Sequence, residues 1–296
     1  MTVVNMSLDS CAMLVEVSCS TWTARKLDKS ATEEVVHNKN AASKDAARVN
    51  KSLFAGRSEL KEIETLAGQV RNFVDGQTMP WSNNGIRLLP TSKFMEFDAK
   101  LKVMEQAFYD KVQEFITIYP SLISAQAMAL GSMFSRNDYP LPETLQSKFA
   151  FTVGYMPVPS SGDWRVDIGT EAQEVLKEQL DKLSAQRVKD MQDMLLAEMG
   201  EQVKRMAYIL GGVFNSKDKN GNAIVKTRPV YPSLLEDAWA LVDKVEGFKI
   251  QDPILVEAAA MLKDAIKGVE LKDLKNPDIK KEVEVGVKGL MTKFSW

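Results

Sequence analysis

Apolar positions along this chain recur mostly at three- and four-residue steps, the period of a helix buried on one side. Leu53, Leu60, Ile63, Leu66 (or Ala67), Val70 and Phe73 form one such run, closed by Asp75-Gly76 and Met79-Pro80. Thr91 or Ser92 is placed to cap a second. In it Phe94, Phe97, Leu101, Met104, Phe108, Val112, Phe115 and Tyr119 make a seam close to a coiled-coil heptad, with Pro120 as its expected stop. Residues 121–134 read as a further Met- and Ala-rich helix. The longest run opens at Thr170, which with Gln173 resembles a capping box. It carries Val175, Leu176, Leu180, Leu183, Val188, Met191, Leu195, Met199, Val203, Met206, Ile209 and Leu210 to the Gly211-Gly212 pair, which ends it or bends it. Gly200 is expected to weaken its middle. Shorter helices fill 231–296, separated by Gly247, Asp252-Pro253 and Asn276-Pro277.

Period-two patterning is confined to short stretches. Residues 12–22 read as a strand. Phe149, Phe151 and Val153 alternate before Pro-Val-Pro-Ser-Ser-Gly, and Trp164, Val166 and Ile168 alternate after it, which predicts a β-hairpin. A second hairpin is expected around Asn220-Gly221. Residues 27–51 are polar enough to be either a weak helix or a mobile arm, and 78–90 read as a loop. The expected fold class is therefore mainly α: an elongated long-helix bundle or helical hairpins with one or two small β-hairpins. The natural division falls between 1–169 (N-terminal strand, long helical hairpin, first β-hairpin) and 170–296 (long helix, second hairpin, C-terminal helices), which one core could also unite.

Composition removes classes of function rather than naming one. The 296 residues are 45% hydrophobic and 26% charged, and 38 Lys and Arg against 40 Asp and Glu leave a net charge of −2. Those are globular values, and near-neutrality argues against a dedicated non-specific duplex-DNA binder. No run approaches the roughly 18 apolar residues of a membrane span. Cys11 and Cys19, eight apart, match neither a redox pair nor a disulfide framework, so a cytoplasmic protein with no membrane association is expected. Its single His37 lacks a Cys or His partner at zinc spacing. Ser216, Asp218, Asn220 and Gly221 resemble half an EF-hand loop, but Thr227 stands where a bidentate Glu is needed. Neither a phosphate-cradling glycine motif nor a nucleophile elbow occurs. Carboxylate pairs Asp190/Asp193 and Glu198/Glu201 alternate with Lys189, Lys204 and Arg205, the pattern of a solvated helix face. Hence no catalytic, cofactor-binding or metal-ligating residue is assigned, and the protein is expected not to be an enzyme.

Two clusters remain as candidate contact sites. Lys217, Lys219, Lys226 and Arg228 gather on the second hairpin, and Trp22 precedes Arg25 and Lys26. Cations interleaved with aromatics can hold single-stranded nucleic acid through phosphates and stacked bases. Equally, Trp22 can be a structural side chain where strand meets helix, with Arg25 reaching an acidic or carbonyl partner.

The order Val-Ser-Cys-Ser-Thr-Trp-Thr-Ala-Arg-Lys-Leu at 17–27, a long helical region and then Lys-Phe-Ala-Phe at 148–151 resembles a domain-of-unknown-function family of phages and integrative elements. Members share a Trp-x-Gly-Arg-Lys-like motif. Trp22, Arg25, Lys26 and Leu27 match it, while Ala24 replaces the Gly. The likeness spans roughly the first two-thirds of the chain. It implies no activity or cofactor. It implies a context, since such genes tend to lie beside MoxR-type (cobalt-chelatase-like) AAA ATPases and von Willebrand A-type proteins. The expected function is a non-enzymatic viral or mobile-element scaffold or adaptor with a protein partner, a MoxR-type ATPase. The second reading is a single-strand-binding accessory in replication or recombination. The long helices are compatible with an oligomer or a virion component.

Overall fold

A computed structural model describes residues 8–82, 85–159, 170–217 and 223–296. In chain order they form β1 (Ala12–Ser20), β2 (Arg25–Leu27), α1 (Lys29–Asn38), β3 (Asn50–Ser52), α2 (Glu59–Gln77), β4 (Met79–Pro80), β5 (Ile86–Pro90), α3 (Phe94–Leu130), α4 (Pro142–Leu145), β6 (Ala150–Pro157), α5 (Thr170–Leu210), β7 (Val213–Lys217), β8 (Ala223–Thr227), α6 (Ser233–Gly247), α7 (Pro253–Ile266) and α8 (Pro277–Phe294). The fold is mainly α with minor β. The strands make one sheet in the order β4-β5-β1-β6 and two separate ribbons, β2-β3 and β7-β8. Contacts divide the chain into two compact units, each assembled from separated stretches. The first holds residues 1–16, 75–95 and 155–296, and the second holds 17–74 and 96–154.

In the first unit α5 packs on α6, α7 and α8, α6 on α7, and α7 on α8. One core runs through the array. Met191, Leu195, Met199, Val203, Met206 and Leu210 supply the α5 seam and meet Leu241 and Val245, Leu255 and Leu262, and Val287 and Leu290. Steps of three and four keep those six side chains on one stripe. Leu14, Met79 and Leu88 from β1, β4 and β5 enter the same core. Each of the helices α7 and α8 is capped by its own sequence. The Asp252 carboxylate accepts the Leu255 N–H at 2.9 Å before Pro253, and Asn276 does the same for Asp278 at 3.0 Å before Pro277. Gly200 is where the indole of Trp296 rests: an added Cβ would stand 3.2 Å from the ring. The glycine makes room for a buried contact in mid-helix, which is its physical role there.

The second unit is a helical hairpin. Phe73 stacks on Phe97 at 5.3 Å, and Lys111 reaches Glu62 at 3.5 Å, so α2 and α3 run antiparallel. The α3 seam, Phe97, Leu101, Phe108, Val112, Phe115 and Tyr119, is buried throughout.

Four elements differ from expectation. Residues 78–90 are no loop: β4 and β5 form a hairpin, with Met79 opposite Leu88, and β5 pairs in turn with β1, Leu14 opposite Leu88. Gly85, just before β5, sits at φ +85°. Thr91 does not cap α3; its hydroxyl donates to the Cys11 carbonyl at 3.0 Å and ties the helix start to β1. Pro120 does not end α3, which runs through it to Leu130. Tyr119, Leu122, Ile123 and Gln126 are all buried on both sides of the proline, and packing on that scale outweighs one missing N–H. Finally, α2 begins at Glu59, leaving Leu53 in a turn, while of the two readings of 27–51 the weak, solvated helix is found as α1, joined by β3. Of the first predicted hairpin, the 150–157 arm is β6, lying beside β1; Trp164, Val166 and Ile168 lie outside the described residues.

The α5 stripe itself divides. Leu195, Met199, Val203 and Met206 are fully buried, whereas Val175 and Leu183 are 52% and 48% exposed. Leu101→Ala and Leu195→Ala should each lower unfolding free energy by about 2–5 kcal/mol, the range for a core leucine that leaves a cavity. Leu183→Ala should cost less than about 0.5 kcal/mol, as a surface change does. Urea titrations of the three variants check the contrast.

Candidate functional site

The stretch Trp22–Leu27 lies where β1 hands over to β2. Ala24 is 1% exposed and sits at φ +47°, in the left-handed region. That conformation disfavours any side chain with a Cβ and suits glycine. Ala24 is the smallest departure from the glycine that this backbone favours. The turn is held by the Leu53 N–H on the Ala24 carbonyl at 2.8 Å. It aligns β2 with β3, Lys26 facing Lys51.

Trp22 is half-buried. Its ring meets Phe54 at 5.7 Å and Tyr119 at 6.1 Å, both edge-on, the favoured aromatic geometry. Phe54 in turn contacts Phe115 and Tyr139. The phenol of Tyr139 donates to the Leu53 carbonyl at 2.8 Å and that of Tyr119 to the Pro140 carbonyl at 2.9 Å. Trp22 is therefore the outer ring of an aromatic core. Arg25 is exposed, and no ion pair of its guanidinium forms among the described residues, contrary to the expected partner. Leu27 is 44% exposed.

The charged anchor of this joint is Lys51, which no sequence pattern singles out. Its side chain is only 8% exposed, and its ammonium lies 2.8 Å from Asp138 and 3.3 Å from Asp28, while donating to the Met133 carbonyl. Asp138 also receives Lys26 at 3.8 Å. Asp28 caps α1 as well, its carboxylate accepting the Ala31 N–H at 3.0 Å and the Ser30 hydroxyl at 2.8 Å. Those two hydrogen bonds, with help from Lys51 and against the effect of burial, hold its carboxyl down at about 2. The hydrogen bond to Asp138 raises Lys51 above the usual lysine range. The sole trace in the sequence is Asp28-Lys-Ser, an N-cap signal; the long reach along the chain from Asp28 to Asp138 leaves none.

The basic hairpin is brought together only in part. In β7-β8, Lys217 faces Ala223 and Phe214 faces Lys226, so positions 217 and 226 belong to alternate faces of the ribbon. Lys219 and the Asn220-Gly221 turn lie outside the described residues. Arg228 is already engaged, its guanidinium 3.4 Å from the Tyr208 ring centroid and donating to the Tyr208 carbonyl at 2.8 Å.

A third place is the first half of α5. Over 174–187, Val175 and Leu183 are exposed and Leu176 and Leu180 half-buried, among Glu174, Glu178, Asp181 and Lys182. Arg187 closes this stretch, stacking 3.9 Å over Trp81 and donating to its carbonyl. Periodicity by itself assigns all of these apolar residues to one buried stripe. Among the described residues no group of three or more His, Cys, Asp or Glu is placed to hold a metal ion, and no helix is long and apolar enough to cross a membrane.

Comparison with known families matches residues 8–274 to the family "Protein of unknown function (DUF3150)", and the chain belongs to it. No curated protein and no solved structure matches.

Two experiments probe the joint. Asp28 has a depressed folded pKa, so the stability it contributes is complete above its unfolded value near 4 and is lost as pH falls through about 2. Lys51, raised, contributes fully below its unfolded value of about 10.4 and loses this only as pH climbs beyond it. Thermal unfolding of the wild type should therefore steepen below about pH 4, and Asp28→Asn should flatten that limb. At Ala24, replacement by Gly should alter stability by less than about 1 kcal/mol. Replacement by Val should cost more than about 2 kcal/mol, since a β-branched side chain is added to a buried left-handed site. Parallel denaturant curves decide the order.

Proposed function

We propose that this member of a family of unknown function is a non-enzymatic scaffold or adaptor of phage or mobile-element origin, working in the cytoplasm with a MoxR-type AAA ATPase. The observation that carries the reading is the division of α5. One continuous helix is buried along Met191–Leu210 within its own unit, yet over 174–187 it shows solvent an apolar stripe bordered by charges. A stripe of this kind is what a helix-in-groove partner engages, and its apolar side chains are the expected anchors. The resemblance of the Trp22–Leu27 stretch to sequences encoded beside MoxR-type ATPases supplies the partner. Tying Trp22 into an aromatic core gives that motif a structural role, so partner contact is assigned to α5 instead.

The test is co-purification of the full chain with the MoxR-type ATPase encoded beside it. Val175→Glu with Leu183→Glu should weaken the complex at least about tenfold, equivalent to 1.4 kcal/mol, and leave the unfolding curve unchanged. Absence of a complex, or one indifferent to both substitutions, would overturn the reading. A second reading, single-strand nucleic-acid binding through Lys217, Lys219, Lys226 and Arg228, rests on their density in the sequence. It predicts micromolar, salt-sensitive oligonucleotide binding abolished when all four become Glu. The stacking of Arg228 on Tyr208 ranks it below the first.

A further inference from the structure

Lys244 lies on α6 between Leu241 and Val245, both of them core residues. Its side chain is 7% exposed. The ammonium nitrogen has two partners, the Asp75 carbonyl at 3.3 Å and Oε2 of Glu198 at 3.4 Å, both longer than a usual N–H···O bond. An amine with three donors is thus held loosely. It opens onto a cavity of about 700 Å³ walled by Glu198, Glu201 and Arg205 of α5 and Asp237 and Leu241 of α6, a volume that suits a small ligand. The other cation of the wall is spoken for, since Arg205 pairs with Asp237 at 2.8 Å. The wall contains no Cys, His, Ser or Thr among the described residues, so Lys244 is its one nucleophilic side chain.

We propose that Lys244 is a covalent binding site for small aldehydes and ketones, which its ε-amine takes up reversibly as an imine while Glu198 moves the protons. The nitrogen lone pair attacks the carbonyl carbon, the C–N bond forms, and the C=O π pair passes to oxygen. Glu198 accepts a proton from the nitrogen and delivers it to that oxygen, giving a carbinolamine. It then takes the second nitrogen proton and returns it to the departing hydroxyl. One water leaves, the C=N bond closes, and no oxidant or reductant takes part. The attack needs a neutral amine, and burial pushes Lys244 down from the ordinary lysine range. The Arg87 guanidinium of β5 acts in the same sense, and Glu198 and Asp75 oppose it. Desolvation of a lysine in a pocket is a general means of activating it. Imine formation of this kind is binding without turnover, and it stands independently of the adaptor reading.

The test treats the full chain at neutral pH with butanal and cyanoborohydride, which fixes any imine as a butyl-amine, and maps the adducts by peptide mass spectrometry. Lys244 should be alkylated severalfold faster than Lys182, which is 74% exposed. Glu198→Gln should slow the reaction at Lys244 severalfold and leave Lys182 unchanged. Lys244→Arg should remove the fast adduct with the circular dichroism spectrum preserved. Alkylation of Lys244 no faster than Lys182 in the wild-type chain would overturn the proposal, whatever the fate of the variants. So would a Glu198→Gln chain that reacts at the wild-type rate.

Discussion

A single helix sets the terms for the larger unit. At 41 residues, α5 is about 60 Å long, and no neighbour in the array matches it, since α6, α7 and α8 have 15, 14 and 18 residues. Three helices of that length can cover only part of such a rod. They cover the part from Met191 onward, where every third or fourth side chain is apolar and enclosed. The remainder keeps its helical period and its apolar residues, but no side chains of the array enclose them to the same degree. Helix propensity and the charged pairs of its flanks, such as Glu178 with Lys182 at 2.8 Å, sustain it locally. The excess of length over coverage is what leaves Val175 and Leu183 of an otherwise ordinary core seam exposed.

The smaller unit depends on a different kind of constraint. A left-handed residue, a buried lysine and two aspartates meet at one ribbon. Burying Lys51 is tolerable because two carboxylates and a carbonyl replace its water. Removing any one partner leaves a charge in a poor medium, so the ribbon, the α1 cap and the segment around Asp138 stand or fall together. Such pairing specifies geometry more than it adds stability. The aromatic cluster beside it supplies the apolar counterpart, with each tyrosine hydroxyl anchored to a carbonyl that fixes its ring.

The two buried lysines illustrate how environment divides one residue type into two roles. Lys51 has close anionic partners, stays charged and serves architecture. Lys244 has distant ones, faces a cavity and is pushed toward its neutral form. The imine proposed at Lys244 would require only a lone pair, a proton carrier and space. Partner docking on α5 and carbonyl uptake between α5 and α6 would then use different stretches of the same helix.

Periodicity and local cap and breaker residues determined the helical character of this chain, the start of its longest helix at Thr170, an end or bend at the glycine pair, and the breaks before Pro253 and Pro277. Those features are local: they depend on the spacing of apolar residues and on side chains within a turn of the backbone they serve. What distinguishes Leu183 from Leu195 is not local, for both sit on the same stripe and only the lengths of α6, α7 and α8 decide which is covered. The continuation of α3 through Pro120, the pairing of 78–90 with β1 and the meeting of Lys51 with Asp138 are likewise settled by residues far away in the chain. The Glu198–Lys244 contact, 46 residues apart, belongs with them. A carboxylate on a charged helix face looks solvated from its neighbours in sequence. Only the helix laid across it could turn it into the partner of a buried amine.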